Sequence, residues 1–300
     1  MSHIKSFGII GGDKRQLYCA KAIASDGYAV KICGFDGAAE TFGLEHDDIA
    51  ETFRSSDALI LPLPCSRDGK HINAPFSQKD IIIDESISSL IADKPVFCGM
   101  KNKLPFSCGA VYDYAEREEF AVENAVPTSE GAVEVAMHEY EGTINSSSCL
   151  VTGYGRIGRV LSEMLGGIGA DVTVSARNHR DIAFIRSRGF RAINSENITG
   201  SYDIIFNTVP HMLFDSCTLA RTASKALVID LASAPGGVDF EAAKRLSIKA
   251  IHALSLPGKV APKASGMISG TGTPPPGGSR PRGLSPPRRG NARRACAAGA

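Results

Sequence analysis

Short apolar runs alternate with stretches of helical period along most of the chain. Residues 4–10 read as a strand, Gly11-Gly12-Asp13 as a turn, 14–25 as a helix and 28–33 as a second strand. A third strand is expected over 58–63, closed by Pro62 and Pro64, which lack the N–H that a ladder requires. Residues 95–98 and 111–114 are further strand candidates, and 85–91 fits either element. Pro127-Thr128-Ser129-Glu130 reads as a helix start capped by Thr128 or Ser129, with the helix ending near Tyr140. After a polar connector, strands are expected over 149–152, 171–175, 203–207, 227–231 and 249–252. Helices are expected between them, over 156–166, 180–188, 215–220 and 240–246. Strands alternating with helices in this way form parallel sheets covered on both faces. The expected class is α/β: two doubly wound units, 1–125 and 126–268, with a cleft between them and a linking helix in the second.

The remaining residues, 269–300, break the pattern. They hold six Arg, seven Gly and six Pro, with no Lys, Asp or Glu. Such a segment cannot bury enough apolar surface to offset its ordering entropy, so a disordered tail is expected there. Without it the body carries 27 basic and 32 acidic residues, a net charge of −5, which argues against a nucleic-acid-coating surface. No apolar run reaches the roughly 18–20 residues of a membrane span. The first residues enter a strand without a signal-like apolar stretch, so a cytoplasmic protein is expected. Eight Cys form no C-x-x-C pair and seven His show no ligand spacing, so no metal is expected.

The strongest chemical signal is Gly153-Tyr154-Gly155-Arg156-Ile157-Gly158, placed between an apolar strand and an amphipathic helix. Gly153 permits a tight turn, Gly155 admits a pyrophosphate to the backbone, and Gly158 lets helix and strand pack closely. The phosphates then meet free N–H groups at the positive end of the helix. At the end of the next strand an NAD site usually places an acid. Here the chain reads Ser175-Ala176-Arg177, where Ser175 can donate to a 2′-phosphate and Arg177 can pair with it. NADP is therefore favoured over NAD, the alternative being a merely solvated Arg177. Asn207-Thr208-Val209-Pro210 and Asp230 end later strands, where ligands sit in open α/β sheets. Turn formation is the competing role for Asn207, Thr208 and Asp230.

The first unit lacks a second G-x-G-x-x-G, so one dinucleotide is expected. Its turn directs Asp13, Arg15 or Gln16 toward the sheet edge, suited to a small anion; an N-capping Asp13 with a solvated Arg15 is the plainer role.

These motifs together resemble the family of dipicolinate synthase A-subunits of spore-forming bacteria. The resemblance rests on Gly11-Gly12-Asp13, Arg15-Gln16-Leu17, Pro127-Thr128, Glu130-Gly131, the three-glycine turn and Asn207-Thr208-Val209-Pro210. It is strengthened by Asp230-Leu231-Ala232-Ser233, Pro235-Gly236-Gly237 and the run from Leu256 to Lys263. It implies two Rossmann-like domains and oxidation of dihydrodipicolinate to dipicolinate in the mother cell during sporulation. It also implies a partner, the flavoprotein-like B-subunit of dipicolinate synthase, which is the place for any FMN, and leaves room for a homo-oligomer. Within that scheme Arg15 and Lys263 would hold the ring dicarboxylate, with Asp13, Gln16 and Thr128 beside them. Glu130 would take the proton, unless it serves only the helix dipole. The family continues past Lys263 through an ordinary amphipathic helix, whereas here the sequence changes abruptly at Ser269, as an altered reading frame would produce. The helix that should pack back on the first unit is accordingly expected to be missing. Two other functions use the same motifs: an NADP-dependent 2-hydroxyacid or imino-acid oxidoreductase, and a non-enzymatic nucleotide-binding regulatory protein.

Overall fold

The structure, a computed structural model, describes residues 4–270 other than 92 and 224. The first half builds strands β1 (Ser6–Ile10), β2 (Ala29–Cys33), β3 (Glu45–His46), β4 (Ala58–Ile60), β5 (Pro95–Cys98) and β6 (Ala110–Asp113). Helices α1 (Lys14–Ser25), α2 (Ile49–Ser55) and α3 (Glu85–Ser89) alternate with them, and α4 (Glu118–Glu139) leads into the second half. There the strands are β7 (Ser148–Thr152), β8 (Asp171–Ala176), β9 (Arg191–Asn194), β10 (Ile204–Asn207), β11 (Leu227–Asp230) and β12 (Ala250–His252). Their helices are α5 (Arg156–Ile168), α6 (His179–Ser187), α7 (Ser216–Thr222) and α8 (Phe240–Arg245), followed by α9 (Leu256–Val260) and α10 (Pro262–Gly270).

The two sheets share one topology. Their strand orders are β3-β2-β1-β4-β5-β6 and β9-β8-β7-β10-β11-β12, both parallel. This is the doubly wound order associated with nucleotide binding, and it bears out the expected Rossmann-like α/β fold. Side-chain alternation fills both faces of each sheet. Phe7 and Ile9 of β1 join one core with Leu17, Ile23 and Phe35, while Ile10 joins another with Phe53, Leu59 and Ile91. In the second sheet Val151 and Phe206 face one core and Leu150 and Ile205 the opposite one. Full burial of each such side chain contributes roughly 1.5–3 kcal/mol, so the apolar runs read as strands become the floor of each half.

Two expectations are corrected. The helix does not begin at Pro127-Thr128-Ser129 but at Glu118, and the boundary expected at 125/126 falls inside α4. The hydroxyls read as caps bond backward instead, Thr128 Oγ1 donating to Asn124 O at 2.6 Å and Ser129 Oγ to Ala125 O at 2.8 Å. Glu118 and Glu119 supply the acidic first turn. Pro127, buried in mid-helix, removes one internal hydrogen bond, and further along the same helix Ala132 and Ala136 are fully buried.

The second correction concerns the C-terminus. A closing helix is present: α10 returns to the first half, where Gly266 packs so closely on Arg15 and Tyr18 that an added Cβ would lie 2.7 Å from Tyr18 Cβ. An Arg117 guanidinium N–H donates to Ile268 O at 3.4 Å. Ser269 and Gly270, expected in the tail, belong to α10; the disorder expected for the rest of the tail concerns 271–300, outside the described residues. The ambiguous stretch at 85–91 is helical over Glu85–Ser89 because Asp84 caps it, accepting from Ile87 N at 3.0 Å. Among the described residues no helix is long and apolar enough to cross a membrane.

Candidate functional site

β7 runs out at Thr152 into a turn that only glycine can make. Gly153 has φ +88°, and a Cβ there would sit 2.7 Å from Thr208 Oγ1. A Cβ on Gly158 would run into the carbonyl oxygen of Gly153. Gly155 differs: it caps α5 without a side chain, and a Cβ would meet nothing within 4 Å. The first turn of α5 holds no acid to compete for its N–H groups. Two glycines are therefore required by close packing, and the middle one opens onto free space, as a pyrophosphate cradle requires.

That space is a cleft of about 340 Å³ walled by Gly153, Tyr154, Gly155, Arg177, Ser195 and Val209, with Arg159, Asp181 and His211 also on its wall. Arg177 is exposed at the end of β8 and has no ion pair among the described residues. Ser175, in contrast, is fully buried beneath the wall and accepts from Ser195 Oγ at 3.1 Å. Ser195 and not Ser175 faces the cleft. Arg156 turns away and pairs with Glu118 at 3.1 Å, linking α5 to the start of α4, while Ile157 packs on the core.

Asn207 and Asp230 are fully buried and serve the backbone. Asn207 Nδ2 donates to Asp230 Oδ1 at 2.8 Å and to Val209 O at 3.0 Å, and Asn207 Oδ1 accepts from Thr152 Oγ1 at 2.6 Å. Asp230 also accepts from Ala232 N at 3.1 Å and Gly237 N at 3.0 Å. Thr208 Oγ1 donates to Thr152 O at 2.8 Å. Turn formation, the competing role, thus accounts for these three side chains: they fix the loops after β10 and β11, presenting Val209 to the cleft. Pro210 beside it is exposed.

The first half is closed where the second is open. Asp13 caps α1 and binds Arg15 through both carboxylate oxygens, at 2.8–3.1 Å, while Arg15 also donates to Leu63 O at 3.1 Å. Gln16, 3% exposed, lines a cavity of only about 10 Å³. Glu130 and Lys263 are exposed and line neither this cavity nor the cleft, and Thr128 is engaged with its own helix.

A His–Asp pair escaped the sequence reading. His71 Nδ1 lies 2.5 Å from Asp68 Oδ2 on the long loop after β4. Backbone donation from His71 holds the Asp68 carboxyl well below the usual range, and the Asp68 hydrogen bond raises the His71 imidazole. An i, i+3 spacing in a loop is the only sequence signal for it. Asp181 was also missed, being four residues beyond Arg177. It accepts from Asn178 Nδ2 at 2.7 Å and lies 3.6 Å from Arg159.

Over 271 residues the chain is 31% identical to the dipicolinate synthase A-subunit of Bacillus subtilis, covering 87% of this chain and 91% of that one. This chain belongs to the family of dipicolinate synthase A-subunits. Residues 6–107 match the model of the family's N-terminal domain. Residues 119–252, which include the glycine turn, match the NAD-binding domain of D-isomer-specific 2-hydroxyacid dehydrogenases. The crystal structure of the B. subtilis A-subunit superposes with a TM-score of 0.79 at 29% identity, over 90% of this chain and 94% of that one. The A-subunit from Bacillus halodurans gives 0.78 at 30% identity, over 88% and 94%. A Sinorhizobium meliloti transhydrogenase shares the fold alone, with a TM-score of 0.63 at 13% identity over 88% and 90%. The NAD-binding dehydrogenase-type domain supports a nicotinamide cofactor and an oxidoreductase.

Proposed function

We propose that the chain is the nucleotide-binding component of an enzyme that oxidises dihydrodipicolinate to dipicolinate, acting with a flavoprotein-like B-subunit in the mother cell of a sporulating bacterium. The observation that carries this reading is an open three-glycine cleft in a member of the dipicolinate synthase A-subunit family. Aromatisation of the ring removes one hydride and one proton, and a nicotinamide cofactor, when bound, accepts the hydride. The chain's own part is to bind and orient. Gly153, Gly155 and Gly158 hold the pyrophosphate, and Asn207 and Asp230 keep the neighbouring loops in place.

NADP suits the cleft better than NAD. Arg177 stands exposed with no ion pair among the described residues, the last residue of β8 is Ala176 and not an acid, and Ser195 adds a hydroxyl. The acid on the wall, Asp181, accepts from Asn178 through Oδ2 and lies 3.6 Å from Arg159, while its buried Oδ1 accepts no hydrogen bond among the described residues. We assign residues 1–125 to the substrate and partner, and 126–268 to the cofactor, with α4 shared by both. In the first half Arg15 and Gln16 are the groups suited to a substrate carboxylate.

The test combines purified chain, dihydrodipicolinate and NADP, with and without the B-subunit, and measures dipicolinate. Product only with both components supports the reading. Product without the partner would indicate a self-sufficient dehydrogenase; turnover of 2-hydroxy acids instead of dihydrodipicolinate would favour the alternative that the match to 2-hydroxyacid dehydrogenases raises. No product from the complete mixture, although NADP binds, would overturn the assignment.

A further inference from the structure

The cavity beside Arg15 contains a donor that has nothing to donate to. Gln16 Nε2 is buried and has no hydrogen-bond partner among the described residues. An amide left in that state costs roughly 1–3 kcal/mol, so the site favours an acceptor from outside the fold, a water or a ligand oxygen. The space in front of it is about 10 Å³, room for a single water at most.

What limits the space is the C-terminal segment. Ser269 of α10 forms one wall, opposite Asp13, Arg15, Pro62, Asn73 and Tyr114. Gly258 of α9 lies over the Asp13–Arg15 pair, where a Cβ would come within 2.9 Å of Arg15 Nε. The residues of α10 buried in this contact are Ser265 and Gly266. Lifting α10 uncovers Gln16 and the fully buried Cys19 of α1, so its displacement costs free energy that ligand binding must supply. Neighbouring Arg15 is already satisfied by Asp13 and Leu63, which leaves Gln16 as the group that selects the ligand.

We propose that α10 is a movable cover over a carboxylate subsite whose free donor is Gln16 Nε2. With α10 seated the subsite holds water; with α10 displaced it admits one carboxylate of a small dicarboxylic acid. This rests on the proposed function for its ligand class, and adds the gate and the discriminating residue.

Gly270, the last residue of α10, supplies the test. A Cβ built there lies 3.6 Å from Sγ of Cys19, which is fully buried in α1 and whose thiol burial pushes up to about 12. Gly270→Cys places two sulfurs within disulfide reach and allows α10 to be locked by oxidation and released by reductant. Binding of pyridine-2,6-dicarboxylate to the full chain is then followed by calorimetry. The oxidised variant is expected to bind at least about tenfold more weakly than the reduced one, with NADP affinity equal in both. Equal dicarboxylate affinity in both states overturns the gate, as does absence of binding to the reduced variant and the unmodified chain. Gln16→Leu should weaken the reduced form by a similar factor, and unchanged affinity removes the subsite.

A second measurement needs no variant. If the dicarboxylate enters under a displaced α10, it should speed alkylation of Cys19 several-fold in the unmodified chain, as mapped by mass spectrometry. Equal or slower labelling contradicts the gate. Should the dicarboxylate bind in a gated manner while no turnover is found with the B-subunit present, the gate stands and the proposed reaction fails.

Discussion

Two sheets with the same strand order meet ligands in opposite ways. After β7 the turn is open: a Cβ on Gly155 would meet nothing, and about 340 Å³ lies in front of it. After β1 the corresponding turn is filled by the protein itself. A Cβ on Gly11 would be 3.0 Å from Asn73 O, Ala74 Cβ and Ile72 Cγ2, and Gly12 N already donates to Asn73 O at 2.8 Å. The loop after β4 occupies in the first half the place that the phosphates of the proposed cofactor would take in the second. Strand order thus sets where a ligand can sit, and the turn with its covering loop decides whether one does.

The sharpest way to break this contrast is to close the open turn. Gly158→Ala drives a methyl into Gly153 O and should weaken NADP binding by at least about a hundredfold, because backbone displaced there carries the phosphate donors. Gly167→Ala on the same helix meets nothing within 4 Å, and should leave affinity unchanged while adding roughly 0.5–1 kcal/mol of stability. In the first half Gly12→Ala, at φ +97°, should cost about 1–3 kcal/mol of stability without touching NADP affinity. Equal effects of Gly12 and Gly158 substitutions on NADP affinity would erase the difference between the halves. Next in size comes Arg177→Ala. Loss of a charge-assisted contact of about 1.5–3 kcal/mol should weaken NADP roughly 10–100-fold and leave NAD unaffected. A parallel loss for both cofactors would remove Arg177 from the choice between them.

Much of this architecture is legible in the amino-acid sequence. The glycine turn can be placed because it lies between an apolar strand and an amphipathic helix, and strand alternation fixes both sheets. What stays illegible depends on side-chain direction. Ser175 and Arg177 are two residues apart at the end of β8, yet one is buried under Ser195 and the other is exposed. Asn207 and Asp230 stand at strand ends where ligands sit, and only their mutual hydrogen bond reveals that they serve the loops. Thr128 and Ser129 resemble caps because hydroxyls that bond backward within a helix look the same in sequence as hydroxyls that bond forward. The short strand β3 and the helix α2 give too few periodic positions to stand out.

The covering loop of the first half has its own electrostatic clasp, the Asp68–His71 pair. Asp68 is held below its ordinary 3.8, so its contribution is present above that value and is lost as pH falls through the folded one. His71 is raised above 6.5, so its contribution is complete below that pH and is lost as pH rises through the folded value. Both act together between about 4 and 6.5. Asp68→Asn should return the imidazole midpoint toward 6.5, read by NMR titration, and flatten the alkaline side of the loop's stability. An unchanged midpoint would mean the pair does not form in solution.

The smallest expected effect falls on a residue whose sequence context pointed to the chemistry. Glu130 is exposed on α4 and lines neither the nucleotide cleft nor the Gln16 cavity. A general base must come within hydrogen-bond reach of the proton it removes, about 2.6–3.2 Å or one water away. Glu130→Gln should therefore change turnover by less than about twofold, well under the 10²–10⁴-fold that a general base contributes. A larger loss with NADP affinity intact would mean that the two halves close onto α4 during the reaction. The open second half and the covered first half would then be two parts of one site.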